Sequence, residues 1–199
     1  YRLNLRLSQE IFTVISCFEV ALRNAIDRQM IARWGEHWLR DFTRPSGVFY
    51  HNPRVERSRS NIEKAYRELI HNRCYSPSKL LAEMEFGFWK YMFSNLQYRL
   101  SGRVLLQAFV NKPRSTRTAS YNNTYIFNEL DYINNLRNRI AHHEPICFNA
   151  AGEIDLFYVL SRYDKMIRLF QWLGIDSAGL LYGLDHVRKV CAQIEAIKS

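Results

Sequence analysis

The spacing of apolar residues near the start of the chain constrains the fold more than any other feature. After Ser8, apolar residues recur at steps of three and four positions up to Met30. Residues at this spacing share one face of an α-helix. The pattern therefore predicts a long amphipathic helix that Ser8 caps and Gly35 ends. The residues of this stripe are Ile11, Val14, Ile15, Phe18, Leu22, Ile26 and Met30.

The remainder of the chain repeats the helical period and contains no convincing strand alternation. Gly87 is expected to interrupt the run that follows Ser76-Pro77, and Gly174 to close a later helix. With 47% hydrophobic residues the chain can bury a full core. The sequence therefore predicts an all-α, up-and-down helical bundle forming a single domain over residues 1–199. Helices are expected near 60–72, 77–84, 125–142, 154–174 and 180–194.

Basic residues are unevenly distributed and point to a polyanionic partner. The net charge is +9, and no acidic residue lies between Glu85 and Glu129. Two long basic loops are predicted, over 41–60 and 111–123. A basic patch attracts nucleic acid through counterion release, although a positive charge also simply keeps a protein soluble. The cations in question are Arg54, Arg57 and Arg59 in the first loop, Lys112, Arg114 and Arg117 in the second, and Lys90, Arg99 and Arg103 before it.

Cysteine usage and hydropathy exclude several classes of protein. The four cysteines are widely separated and form no C-x-x-C pair, which argues against a zinc knuckle or a disulfide scaffold and favours a reducing cytoplasm. His142, His143 and Cys147 lack a fourth metal ligand at a recognised spacing, so no metal and no cofactor are expected. No apolar run approaches the roughly 20 residues of a membrane span.

A polar cluster at the end of the helix predicted over 125–142 carries the candidate chemistry. Arg137 falls at the centre of an apolar stripe, where a guanidinium needs a partner or a crevice. Asn138 and His142 lie one turn apart, and Pro145 places His142 near the helix end. An imidazole there can move protons near neutral pH. An Arg or His in this position is also explained as a complement to the helix dipole.

Three segments resemble one protein family. Leu136–Pro145 resembles the R-N-x3-H signature of HEPN ribonucleases, in the form found in Abi-like (abortive infection) proteins. Glu83–Trp89 resembles the E-x-x-F-G helix of the same family, and Phe18–Asn24 its E-x-x-L-R helix. The three segments occur in the expected order between residues 18 and 145.

The resemblance implies a HEPN-like helical bundle and a metal-independent endoribonuclease that acts as a homodimer. It implies His142 as general base or acid, Arg137 as the phosphate ligand and Asn138 as an orienting residue. Supporting roles fall to Glu19, Arg23 and His143. An ordinary helix-surface ion pair between Glu19 and Arg23, four residues apart, is the alternative explanation for that pair. Arg139 and the loop cations are implied to contact RNA. An antitoxin protein or RNA is implied as a further partner.

Two other classes stay open from the sequence. A noncatalytic RNA-binding or regulatory module would keep the fold and the basic loops without cleaving RNA. An interaction protein, such as an antiphage sensor, would act through a partner and show little salt dependence in any RNA binding.

Overall fold

The computed structural model describes residues 1–197, and within that range it contains helices and no strand. The prediction of an all-α protein is confirmed. One isolated antiparallel bridge joins Phe148 and Ile154. Short 3₁₀ helices occupy Pro53–Val55 and Leu105–Ala108. The α-helices are α1 (Arg2–Trp34), α2 (Trp38–Asp41), α3 (Glu56–His71), α4 (Pro77–Ala82), α5 (Phe86–Met92), α6 (Asn95–Leu100), α7 (Asn123–Ala141), α8 (Phe157–Trp172), α9 (Ser177–Leu180) and α10 (Val187–Glu195).

The long first helix is present, but its predicted start is wrong. Helix α1 begins at Arg2, and Ser8 lies inside it rather than capping it. Two buried residues before Ser8, Asn4 and Leu7, extend the inward-facing stripe toward the start of the chain. The predicted end is confirmed, because Gly35 follows the helix with a φ of +86°.

Other predicted boundaries shift for identifiable reasons. Helix α3 begins at Glu56, so Arg57 and Arg59 lie on a helix rather than in the loop predicted over 41–60. The break before α5 falls at residues 83–85, and Gly87 sits in the first turn of α5 instead of interrupting a helix. The final predicted helix is two helices, because the chain turns at Gly183, whose φ is +73°.

Among the described residues, one compact unit comprises 1–21, 109–112 and 128–197. Its core includes an edge-to-face contact between Phe18 and Phe170, with ring centroids 5.2 Å apart. Helices α7 and α8 are joined by the buried Glu129 carboxylate, which accepts hydrogen bonds from Lys165 and Arg168. These contacts hold the first half of α7 against α8, and the polar cluster lies at the other end of α7.

The second compact unit comprises residues 22–108 and 113–127. Its core contains an aromatic group in which Phe42 makes edge-to-face contacts with Trp34, Trp38 and Phe49, at centroid distances of 5.0 to 5.4 Å. Lys90 was predicted to belong to a surface basic patch, but it is only 6% exposed. Its ammonium lies 4.5 Å from the ring centroid of Tyr91, so it contributes to packing instead. The prediction of one domain over the whole chain stays a prediction.

Candidate functional site

The helix that carries the polar cluster ends in a tight turn immediately after His142. The backbone N–H of His143 donates to the carbonyl of Ile140 at 3.0 Å, and that of Glu144 donates to the carbonyl of Arg139 at 2.8 Å. This pair of bonds is the Schellman pattern, in which the residue after the helix cap takes a left-handed conformation. That residue is His143, with a φ of +57°. The turn leaves both imidazoles exposed at the helix end.

Side-chain contacts of Arg139 hold this turn in place. Its Nε lies 3.1 Å from Oε2 of Glu144, and its guanidinium also donates to the carbonyl of Pro145. The same group stacks over the ring of Tyr158 at 4.7 Å. The predicted RNA contact of Arg139 therefore competes with three intramolecular contacts.

A buried amide fixes the chain just beyond the turn. The Oδ1 of Asn4 in α1 accepts a hydrogen bond from the backbone N–H of Ile146 at 2.9 Å and a weaker one from the thiol of Cys147 at 3.2 Å. Asn4 is 7% exposed, so an unsatisfied oxygen there would be costly. The segment after the motif is thus tied to the first turns of α1.

Arg137 lines a groove between α1 and the end of α7. The groove has a volume of about 710 Å³. Arg137 is half-buried, and within residues 1–197 its guanidinium forms no hydrogen bond or ion pair. The crevice expected for a cation on an apolar stripe is therefore present, and the cation is available to an anionic ligand. The lining residues are Asn4, Leu5, Ser8, Gln9, Phe12 and Thr13 from α1 and Arg137, Ile140, Ala141, His143 and Glu144 from the other wall.

Asn138 and His142 lie one helical turn apart at the C-terminal end of α7. The backbone N–H of His142 donates to the carbonyl of Asn138 at 2.9 Å. Asn138 is half-buried and His142 is exposed, next to the groove-lining residues Ala141 and His143. The side chain of His142 is therefore accessible to a ligand at this end of the helix.

The predicted supporting pair lies on α1. Glu19 and Arg23 are both half-buried, and they occupy positions four residues apart. The Nε of Arg23 is buried and has no hydrogen-bond partner in the described part of the chain. Supporting roles in catalysis for both residues stay predictions.

The predicted RNA-binding cations differ in their exposure to solvent and in their contacts with other residues. Arg54, Arg57, Arg114 and Arg117 are exposed, and Lys112 is half-buried. Arg59 is held by Glu56, with Nη2 2.6 Å from Oε2, and it donates to the carbonyl of Tyr50 at 3.0 Å. The exposed arginines are therefore more available for phosphate contacts than Arg59.

Sequence reasoning missed three residues that build the site. Asn4 anchors the chain after the motif, Phe12 lines the groove, and Tyr158 stacks on Arg139. Only Phe12 could have been found from the sequence. It is an aromatic residue that lies beside the apolar stripe beginning at Ile11 rather than on it, so the core of the helix does not account for it. Asn4 and Tyr158 act through contacts between segments far apart in the chain, which periodicity does not reveal.

No group of three or more His, Cys, Asp or Glu side chains that could hold a metal ion is found within residues 1–197. In the same range, no helix is both long and apolar enough to cross a membrane.

Comparison with known proteins identifies the family. The family model described as "Abi-like protein" matches residues 1–147, which include both walls of the groove and the whole polar cluster. Neither the curated proteins nor the solved structures gave a significant match. The matched range covers most of the chain, so the protein belongs to the Abi-like family.

Proposed function

We propose that this Abi-like protein is a metal-independent endoribonuclease that acts in abortive infection, the type of function its family indicates. The proposal places the protein in the HEPN superfamily, because the segment Leu136–Pro145 resembles the signature of HEPN ribonucleases. The substrate is RNA, because the chemistry uses a 2′-hydroxyl.

The observation that supports the proposal most strongly is the arrangement of Arg137 and His142. Arg137 places an unpaired guanidinium in a groove, and His142, whose neighbours Ala141 and His143 line that groove, is exposed at the same end of α7. Transesterification of RNA needs a cation to bind the phosphate and groups that move protons near neutral pH. Both are present at one end of α7.

The residues of the cluster divide the work of the proposed reaction between them. A base removes the proton of the 2′-hydroxyl, the 2′-oxygen forms a bond to phosphorus, and the bond from phosphorus to the 5′-oxygen breaks. An acid protonates the departing 5′-oxygen, which leaves a 2′,3′-cyclic phosphate and a 5′-hydroxyl. His142 serves as base or acid, Arg137 binds the phosphate and offsets its growing charge, and Asn138 orients His142 or a phosphate oxygen.

The reaction needs two proton-transfer groups, and the proposal assigns them to two copies of the chain. In a homodimer, His142 of one copy is the base and His142 of the other is the acid. His143 is exposed on the groove wall and is the supporting candidate in each copy. Because a growth-arresting nuclease must be restrained, an antitoxin protein or RNA is part of the proposal.

Cleavage of total RNA in EDTA tests the proposal. Wild type should produce fragments with 2′,3′-cyclic phosphate and 5′-hydroxyl ends, whereas DNA of the same sequence should survive. His142→Ala and Arg137→Ala should lose cleavage and keep the helical circular dichroism spectrum. His71→Ala is the matched control, since His71 is an exposed histidine in the last turn of α3. Intact RNA, or cleavage that EDTA abolishes, would contradict the proposal.

The second candidate is a noncatalytic RNA-binding module. The exposed arginines Arg54, Arg57, Arg114 and Arg117 favour it, because they supply phosphate contacts without any need for His142. In that case wild type and His142→Ala would bind RNA equally, and neither would cut it.

A further inference from the structure

The groove beside Arg137 has an unusual wall of exposed apolar side chains. Leu5 and Phe12 lie on α1 seven residues apart, which places them on the same helix face. Leu5 is 39% exposed and Phe12 is 44% exposed. Ile140 and Ala141 form the opposite wall. An apolar cleft with an accessible aromatic ring is typical of a ligand site.

The charges of the groove favour an anion. Its carboxylate, Glu144, is paired with Arg139 at 3.1 Å and so is largely neutralised. The guanidinium of Arg137 has no such partner within residues 1–197. The groove therefore presents apolar walls, one accessible ring and one free cation.

This combination matches a nucleotide, which joins a flat aromatic base to an anionic phosphate. Bases stack on aromatic side chains in proteins that bind single-stranded nucleic acid, and arginine binds phosphate through paired hydrogen bonds. Gln9 adds an exposed side-chain amide on the same wall, and the described contacts leave that amide without a hydrogen-bond partner. An amide offers both a donor and an acceptor to a base edge.

We infer that the groove is a base-binding subsite, in which Phe12 stacks on an unpaired base of single-stranded RNA while Arg137 holds the phosphate next to that base. Gln9 hydrogen-bonds the base edge. The inference rests on the proposed function, since it assigns a substrate subsite to the same site.

The size of the groove favours a nucleotide over a second copy of the chain. A volume of about 710 Å³ falls within the range of pockets that hold small organic ligands, about 300–1,000 Å³. Eleven residues line the groove, whereas a stable protein interface uses roughly 20–30 residues on each side.

A binding experiment in the His142→Ala background tests the subsite without cleavage. The probe is a short single-stranded RNA that carries one 2-aminopurine, whose fluorescence is quenched when the base stacks. Binding should quench the probe. Phe12→Leu should remove the quenching and weaken binding by roughly tenfold, whereas Phe12→Trp should retain both. Phe157→Leu is the matched control, because Phe157 is 77% exposed and does not line the groove.

The possible outcomes separate this inference from the proposed function. Unchanged quenching and affinity in Phe12→Leu would overturn the subsite even if wild type cuts RNA. Loss of a dimer in Phe12→Leu, measured by light scattering, would also overturn the subsite, because the groove would then be the place where a second copy of the chain binds. If wild type fails to cut RNA while quenching still depends on Phe12, the nuclease proposal fails and the base-binding groove is supported. Phe12→Leu should keep the wild-type melting profile, since the ring is partly exposed.

Discussion

Arg139 and Glu144 form an ion pair across the turn that ends α7, with Nε 3.1 Å from Oε2. The backbone of the same two residues is joined as well, because the N–H of Glu144 donates to the carbonyl of Arg139. His142 and His143 lie inside this doubly closed turn. The conformation of the turn that carries both histidines therefore depends on the pairing of Arg139 with Glu144.

Arg139→Ala should loosen this turn. We expect the free energy of unfolding to fall by about 1 kcal/mol, because a partly exposed ion pair and a stacking contact are lost together. The salt dependence of RNA binding should stay unchanged, since the guanidinium is already occupied. Urea unfolding and binding at several salt concentrations measure the two effects. A salt slope that falls by about 0.7 would instead assign Arg139 to a phosphate of single-stranded RNA, as the family resemblance implies.

His143→Gly should stabilise the fold and weaken cleavage. A left-handed residue costs roughly 1 kcal/mol for any amino acid except glycine, so its removal should raise the free energy of unfolding by about 0.5–1 kcal/mol. The imidazole lines the groove, so its loss should slow RNA cleavage.

The matched control for His143→Gly is Arg73→Gly at the end of α3. Arg73 has a φ of +51° and closes the same kind of turn, with the N–H of Cys74 donating to the carbonyl of Leu69. This variant should gain similar stability and cleave like wild type. Equal cleavage by His143→Gly and Arg73→Gly would show that His143 has no part in cleavage.

Long, regular helices were the part of the fold that the sequence predicted best. The stripe from Ile11 to Met30 lies on α1, and the polar cluster lies at the end of α7 as expected. The helix start that was predicted from a single serine is wrong. Ser8 resembles a helix cap, but it lies inside α1 on the groove wall. Propensity alone does not distinguish these two uses of serine.

Contacts between distant segments were the part that the sequence could not supply. Asn4 accepts a hydrogen bond from Ile146, 142 positions later, and nothing in either local pattern pairs them. Lys90 belongs by composition to a basic surface, yet packing against Tyr91 buries it. The sequence could predict the cation in the groove, because Arg137 interrupts an apolar stripe. It could not predict the apolar wall that α1 places opposite.

Glu129→Gln should destabilise the protein without a direct effect on the site. Its carboxylate is nearly fully buried and accepts hydrogen bonds from Lys165 and Arg168, which are partly exposed. Loss of the negative charge should cost about 2 kcal/mol, because hydrogen bonds to charged groups contribute about 1.5–3 kcal/mol. Urea unfolding measures this change. Glu153→Gln, at an exposed position, is the control and should be neutral.

The double variant Arg114→Ser, Arg117→Ser should weaken RNA binding in a salt-dependent way. Each phosphate contact with single-stranded RNA contributes about 0.7 to the slope of log K against log salt concentration. Removing two contacts should therefore lower the slope by about 1.4. Lys189→Ser, an exposed position on α10, should leave it unchanged. A uniform loss of affinity at all salt concentrations would exclude direct phosphate contacts by this loop.

Buried thiols make the fold sensitive to alkaline pH. Burial raises the pKa of Cys191 to about 11, and burial also raises the pKa of Cys147. Burial likewise raises the pKa of Tyr163, whose hydroxyl donates to Asp185. All three groups are therefore protonated in the folded protein at pH values where an unfolded chain begins to lose these protons.

The free energy of unfolding should consequently fall as the pH rises from about 9 toward 11. In this window the unfolded state binds fewer protons than the folded state, so deprotonation favours unfolding. Cys191→Ala should make this decline shallower without abolishing it, because Cys147 and Tyr163 contribute in the same direction. Urea unfolding at several alkaline pH values measures the slope, with Cys17→Ala, a half-buried cysteine on α1, as control. An identical slope in wild type and Cys191→Ala would show that this thiol is not shielded from water.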